Sequence, residues 1–183
     1  IIIGSVFVSG LGLKFTQSVI DLSGGMLFPL LCLTAISAII LGMGMTTTAV
    51  YITVAALIVP SLIEAGILPI AAHMFAFYFG VVSTITPPVA LASFAGAAIA
   101  KSPPMATAFE SSKVGIAKYI VPFAFIYNPS LLMEGPRIWS LYSLISVLLA
   151  YWCMTLGLEG WFNGKLNVYK RTLALLGSVS LLI

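Results

Sequence analysis

The chain has 183 residues, 61% hydrophobic and 7% charged, with a mean hydropathy of +1.16 and a formal net charge of +3. Such a chain lacks the polar surface that a water-soluble domain presents, and a lipid bilayer is its natural solvent. Its eight Lys and Arg form no concentrated basic face, which excludes nucleic-acid binding, and Cys32 and Cys153 stand alone in apolar segments as small buried hydrophobes, without metal or redox spacing.

Ile1 opens the chain without an initiator Met inside an apolar run, and Ile183 closes it inside another, so the chain reads as a fragment of a longer polypeptide. Residues 1–25 read as the end of a preceding span followed, from Lys14, by a polar connector with Gln17, Asp21 and a Gly pair. Residues 26–63 form two apolar arms separated at Gly42, Met43, Gly44, Met45, Thr46, Thr47 and Thr48. Arms of about 15 to 18 residues give about 22 to 27 Å of helix against a ~30 Å hydrocarbon core, so a re-entrant hairpin and two full spans both remain open.

Residues 64–66 make a short turn, and Pro69 suits the first turn of the next helix. The apolar stretch 67–100 is far longer than one span requires. Near its middle stand Ser83, Thr84, Ile85, Thr86, Pro87 and Pro88. Two consecutive prolines remove two backbone donors, and each disfavours helix at the residue before it. This pattern predicts a broken helix, two halves joined by an unwound segment at membrane depth.

Ser102, Pro103 and Pro104 break the chain again, and residues 104–118 read as an amphipathic helix on the membrane surface, with Glu110, Lys113 and Lys118. Residues 119–133 read as a span containing Pro122 and the Asn128-Pro129 pair, completing a transport unit over 26–133. After a turn at 134–137, residues 138–156 are an uninterrupted span with Trp139, Tyr142, Tyr151 and Trp152 near its ends, as interfacial belts require. A loop over 158–171 leads to a last span near Thr172, so that 138–183 hold extra carboxyl-terminal spans. The predicted fold class is all-α: a polytopic membrane protein with a re-entrant helical hairpin and an interrupted helix. The connectors 101–118 and 158–171 hold six of the eight basic residues and fall on one side, which the positive-inside rule makes cytoplasmic.

Two stretches defy the rule that backbone inside a membrane satisfies its own hydrogen bonds, the Gly-Thr segment 42–48 and the Thr-Pro-Pro segment 83–88. Irregular backbone at that depth is tolerated where it is buried in protein or lines a watery cavity. Glycine lets a ligand approach the main chain, while hydroxyl and freed carbonyl oxygens replace the water shell of a small hard cation such as sodium. Helix amino-termini opening at Ala49 and Val89 would direct partial positive charge at an anion. The candidate ion and substrate residues are therefore Gly42, Gly44, Thr46, Thr47, Thr48, Ser83, Thr84, Thr86, Pro87 and Pro88. His73, alone on an apolar helix, reads as a packing or hydrogen-bonding residue, and Asn128 as a cap for a broken turn or a residue facing the transport path. No acid, base, nucleophile or metal set accompanies these residues, so an enzyme is not expected, and no cofactor beyond sodium as coupling ion.

The sequence from about residue 22 to 122 resembles the large membrane subunit of the tripartite ATP-independent periplasmic (TRAP) transporters, in particular the fused type. The resemblance rests on Leu41 to Ala49 with its Gly-Met-Gly-Met-Thr-Thr-Thr core, on Pro60 with the turn to Gly66-Ile67-Leu68-Pro69, and on Thr84-Ile85-Thr86-Pro87-Pro88-Val89-Ala90. It implies an elevator-type, sodium-coupled importer of small organic acids in a bacterial or archaeal inner membrane. A periplasmic solute-binding protein would deliver the substrate, and the first repeat and fused small subunit would complete the chain. Gly42 and Thr46–Thr48 would map to the hairpin tip, and Thr84, Thr86, Pro87 and Pro88 to the interrupted helix. Family members often carry an acidic residue followed by Pro-Thr at the tip, and Gly on both sides of the Thr-Pro-Pro element. This chain has Thr46-Thr47-Thr48, Ser83 and Ala90 there, differences that bear on substrate more than on mechanism.

Two other readings use the same residues. A divalent-anion sodium symporter pairs a hairpin tip with a similar break and works without a soluble receptor. A non-transporting membrane anchor would tolerate Ala in place of these threonines.

Overall fold

The computed structural model describes residues 9–134, 136–161, 164 and 166–182, which form helices joined by turns. The expected span end at residues 1–8, Gly135 of the expected turn and Lys165 of the basic loop lie outside the described residues. The chain divides into two compact units, Ile1–Ile126 and Tyr127–Ile183.

In the first unit, α1 (Leu11–Ser23) occupies most of the stretch expected as a connector. Thr16, Val19 and Ser23 are buried while Lys14, Gln17, Ser18 and Asp21 are exposed. Its polar residues thus lie on one face of an amphipathic helix, and the buried face packs on α2, α3 and α4. α2 (Leu27–Gly42) is apolar almost all round. It buries Leu30, Leu31, Thr34, Ala35 and Ala38 and turns Phe28, Ile36 and Ile40 outward, where a soluble helix would carry charge. A turn over residues 43–46 leads to α3 (Thr47–Leu57). The expected second arm then breaks at Ile58 before α4 (Val59–Glu64), because Pro60 has no N–H for the ladder.

α5 (Pro69–Val82) packs against α2, α3 and α4. Ala71, Ala72, Ala76 and Gly80 let its neighbours approach closely, while Phe75 and Phe79 fill the space between. The rings of Phe75 and Phe79 lie 4.8 Å apart, and Phe123 meets Phe75 edge-on at 5.4 Å. His73 Nδ1 is 3.0 Å from Tyr51 Oη, a hydrogen bond that ties α5 to α3. α6 (Leu91–Ala100) packs on α7 (Pro104–Val114), and α8 (Ala117–Tyr127) follows. The helix expected over 119–133 stops at Tyr127, since Pro129 disfavours helix at Asn128.

The second unit holds a 3-10 turn (Pro129–Leu132), α9 (Arg137–Glu159) and α10 (Val168–Leu182). Asn128 donates Nδ2–H to Ser143 Oγ at 3.0 Å, fixing the turn to α9. Among the described residues, α9 alone is long and apolar enough to cross a membrane. Its 23 residues reach about 34 Å, and Ile138, Leu141, Ile145, Leu148 and Trp152 all point outward. Arg171 on α10 donates Nε–H to Gly157 O and Nη2–H to Leu158 O, each at 2.9 Å, placing a cation on the last carbonyls of α9. A methyl group at Gly157 would sit 2.6 Å from Leu175 Cγ and 3.2 Å from Arg171 O. Gly157→Val is expected to lower the stability of the α9–α10 pair by about 1–3 kcal/mol through overpacking. The check is the melting midpoint of the permease in detergent, and an unchanged midpoint would mean that the helices have room to part.

Candidate ion and substrate site

The two breaks meet in space. Gly42, the last residue of α2, packs against Ser83, the first residue beyond α5: a methyl group at Gly42 would lie 2.8 Å from Ser83 Cβ and 3.0 Å from Val50 Cγ1. Val50 also fills the place of a side chain at Gly80, where a methyl group would lie 2.8 Å from the same Cγ1. Two glycines on different helices therefore enclose one methyl of α3, which holds the tip of the α2–α3 pair on the end of α5. Gly44 has φ of +79°, a left-handed conformation that lets the chain reverse over four residues, and its Cβ position lies 3.9 Å from Val89 Cγ1.

The interrupted segment has a specific donor and acceptor pattern. Ser83 Oγ donates to Gly80 O at 2.6 Å, Thr84 Oγ1 to Val81 O at 2.7 Å and Thr86 Oγ1 to Val82 O at 2.7 Å. Each hydroxyl has one proton and two lone pairs. With all three protons given to the last turn of α5, lone pairs are what these side chains have left to offer. The backbone turns on itself through Thr86 N–H to Ser83 O and Ala90 N–H to Thr86 O, and Ala92 N–H returns to Thr84 O at 3.0 Å. Among the described residues, the carbonyls of Pro87, Pro88 and Val89 accept no hydrogen bond, and the N–H groups of Val89, Leu91 and Ser93 donate none. The Pro87-Pro88 peptide is cis.

The amino-termini open at Thr47 and Leu91, two residues from the Ala49 and Val89 expected. Thr46, Thr47 and Thr48 are exposed at the start of α3, and their side chains make no hydrogen bond among the described residues. Gly42, Gly44, Ser83, Thr84, Thr86 and Pro87 thus gather at one place, Pro88 is exposed on the same segment, and the three threonines form a rim leading from the tip.

Four neighbours escape sequence reasoning. Ser93, in the first turn of α6, is 5% exposed, and its Oγ has no partner among the described residues. Its lack of a partner leaves no trace in the sequence. Ser112 on α7 donates Oγ–H to Ile85 O at 3.0 Å. Tyr119 on α8 has its Oη 2.7 Å from Thr86 Oγ1. Gly115 lies between them, where a methyl group would come within 2.8 Å of Ile85 Cδ1. A polar group facing inward from an otherwise solvated helix was the available signal for Ser112; Tyr119 has none, being 33 residues from its partner.

No group of three or more His, Cys, Asp or Glu able to hold a metal occurs among the described residues. No curated protein and no solved structure matches the chain. The family described as tripartite ATP-independent periplasmic transporter, DctM component, matches residues 1–135. That match spans both breaks and all the helices that position them, and the chain belongs to this family: it is part of the large membrane permease of a TRAP transporter.

Proposed function

We propose that the meeting of the α2–α3 tip with the interrupted helix binds sodium and the carboxylate of a small organic acid. In this reading the chain carries half of the binding machinery of a sodium-coupled importer. The observation that carries the reading is the direction of the hydroxyl protons. Ser83, Thr84 and Thr86 all donate back to α5, so lone pairs rather than protons are left for a ligand, beside the carbonyls of Pro87, Pro88 and Val89, which accept no hydrogen bond among the described residues. Neutral oxygens of this kind suit a hard monovalent cation and repel an anion placed at the same point. The N–H groups of Leu91 and Ser93 and the Ser93 hydroxyl, which have no partner among the described residues, supply donors for a carboxylate at the positive end of α6. Cation and anion would then sit side by side, each lowering the desolvation cost of the other.

Helix lengths favour the re-entrant hairpin over two spans. The 16 residues of α2 reach about 24 Å, and the arm made by α3 and α4 over residues 47–64, with its break at Ile58, about 27 Å, both short of a ~30 Å core. Two half-helices, α5 and α6, opposed across an irregular segment are the arrangement used by transporters that bind at the membrane midplane. The close fit of Gly42 on Ser83 supports movement of tip and break together, as an elevator mechanism needs. Family membership implies a periplasmic binding protein and a small membrane subunit as partners, and an inner-membrane, multi-pass setting fits the outward apolar faces of α2 and α9.

The test is uptake of radiolabelled organic acids by the complete permease in proteoliposomes, with and without a sodium gradient and the cognate binding protein. Uptake requiring both is expected. Sodium-dependent uptake without the binding protein would make the system a self-sufficient symporter, and uptake indifferent to sodium would remove the ion from the site.

A further inference from the structure

The contacts between the α7–α8 corner and the interrupted segment go beyond holding two helices together. Thr86 Oγ1 lies 2.7 Å from both Val82 O and Tyr119 Oη. A carbonyl only accepts, so the Thr86 proton goes to Val82 O. The bond to Tyr119 then has one possible polarity, with the phenol donating and Thr86 accepting. One lone pair of Thr86 is taken by Tyr119, one remains, and the hydroxyl rotor is fixed. Without the phenol proton, Thr86 Oγ1 would be free to turn its own proton outward.

The neighbouring residue is held in the same way. Ser112 donates to one lone pair of Ile85 O and so aims this carbonyl, while Gly115 admits the Ile85 side chain beneath the corner. Gly115 N–H bonds back to Ser111 O, and Tyr119 N–H to Ile116 O, so the corner that carries both donors is itself closed by backbone hydrogen bonds. Two donors from a segment outside the two breaks thus act on consecutive residues, Ile85 and Thr86.

We infer that Tyr119 is a positioning residue for the coupling ion: by donating its phenol proton to Thr86 Oγ1, with Ser112 aiming Ile85 O, it keeps a Thr86 lone pair turned toward the ion. The inference rests on the sodium reading of this site. It predicts that Tyr119 sets ion affinity without touching the organic acid.

The experiment measures half-saturating sodium in two ways on the complete permease: by uptake in proteoliposomes with its binding protein, and by the sodium-induced rise in melting temperature in detergent. Tyr119→Phe keeps the ring and removes only the phenol oxygen. It is expected to raise half-saturating sodium about threefold to tenfold in both measurements, the range corresponding to one lost hydrogen bond. Half-saturating organic acid at saturating sodium should move by less than about twofold, since the ion site is then filled. Ser112→Ala is expected to act in the same direction and more weakly. A Tyr119→Phe permease with wild-type half-saturating sodium would overturn the inference and leave the sodium reading standing, even if its melting temperature without sodium fell. A wild-type permease whose uptake and melting both ignore sodium would overturn the two together. Equal shifts in half-saturating sodium and organic acid would show that Tyr119 shapes the whole segment and would also overturn it.

Discussion

Gly42→Val is expected to reduce uptake by about a hundredfold or more while the permease still reaches the membrane. A single methyl group at this position already falls 2.8 Å from Ser83 Cβ and 3.0 Å from Val50 Cγ1, and Ser83 is only 1% exposed, so it has nowhere to retreat. The added volume must push the α2–α3 tip off the end of α5. Overpacking of this kind costs about 1–3 kcal/mol in stability, but the larger consequence is positional, since misplacing binding groups by about 1 Å can cost two orders of magnitude in rate. Gly42→Ala should be milder, and Ser83→Gly in the same chain should restore part of its uptake by removing the atoms that it strikes. Wild-type uptake by Gly42→Ala would show that the tip rides above the break with space between them.

Thr86→Val is expected to lower uptake by about tenfold to a hundredfold, and Thr86→Ser to keep most of it. Valine preserves the shape of threonine and loses its hydroxyl, so the change removes the oxygen that carries the remaining lone pair and orphans the phenol of Tyr119, which is partly buried. Leaving such a donor unpaired costs about 1–3 kcal/mol, and on the proposed sodium reading the loss of an ion ligand adds to it. Serine keeps the proton for Val82 O and the lone pair for Tyr119. A comparison of uptake at low and saturating sodium separates the two contributions, because only the lost ligand is relieved by more ion. Full uptake by Thr86→Val at low sodium would remove Thr86 from the site.

The breaks were legible because their chemistry is local. Pro87 and Pro88 together remove two consecutive backbone donors, and Gly44 reverses the chain by its own conformation. Tertiary relations were not. Nothing in the run from Gly42 to Thr48 says that Gly42 meets Ser83, since both lie in segments with many small residues. The helix at Leu11–Ser23 was hidden because composition averages over a turn, while Lys14, Gln17, Ser18 and Asp21 share one face and leave Thr16, Val19 and Ser23 to the other. The early end at Tyr127 was marked by Asn128-Pro129, but the apolar residues beyond it disguised the stop as continuation. Ser112 lay in a stretch read as surface, where polar residues need no partner, and Tyr119 opened a stretch read as a span, where nothing in the sequence pointed to Thr86.

The wedge made by Val50 between Gly42 and Gly80 bears on the order in which the molecule is assembled. The chain is made from its amino-terminal end, so α2 and α3 leave the ribosome before α5 exists, and one of the two glycines that seat Val50 is still missing. The pair is therefore incompletely seated, with the apolar outer face of α2 exposed, until Gly80 arrives to close the seat. Variants that delay or distort α5 should then be removed by membrane proteases while Val50 is still unseated.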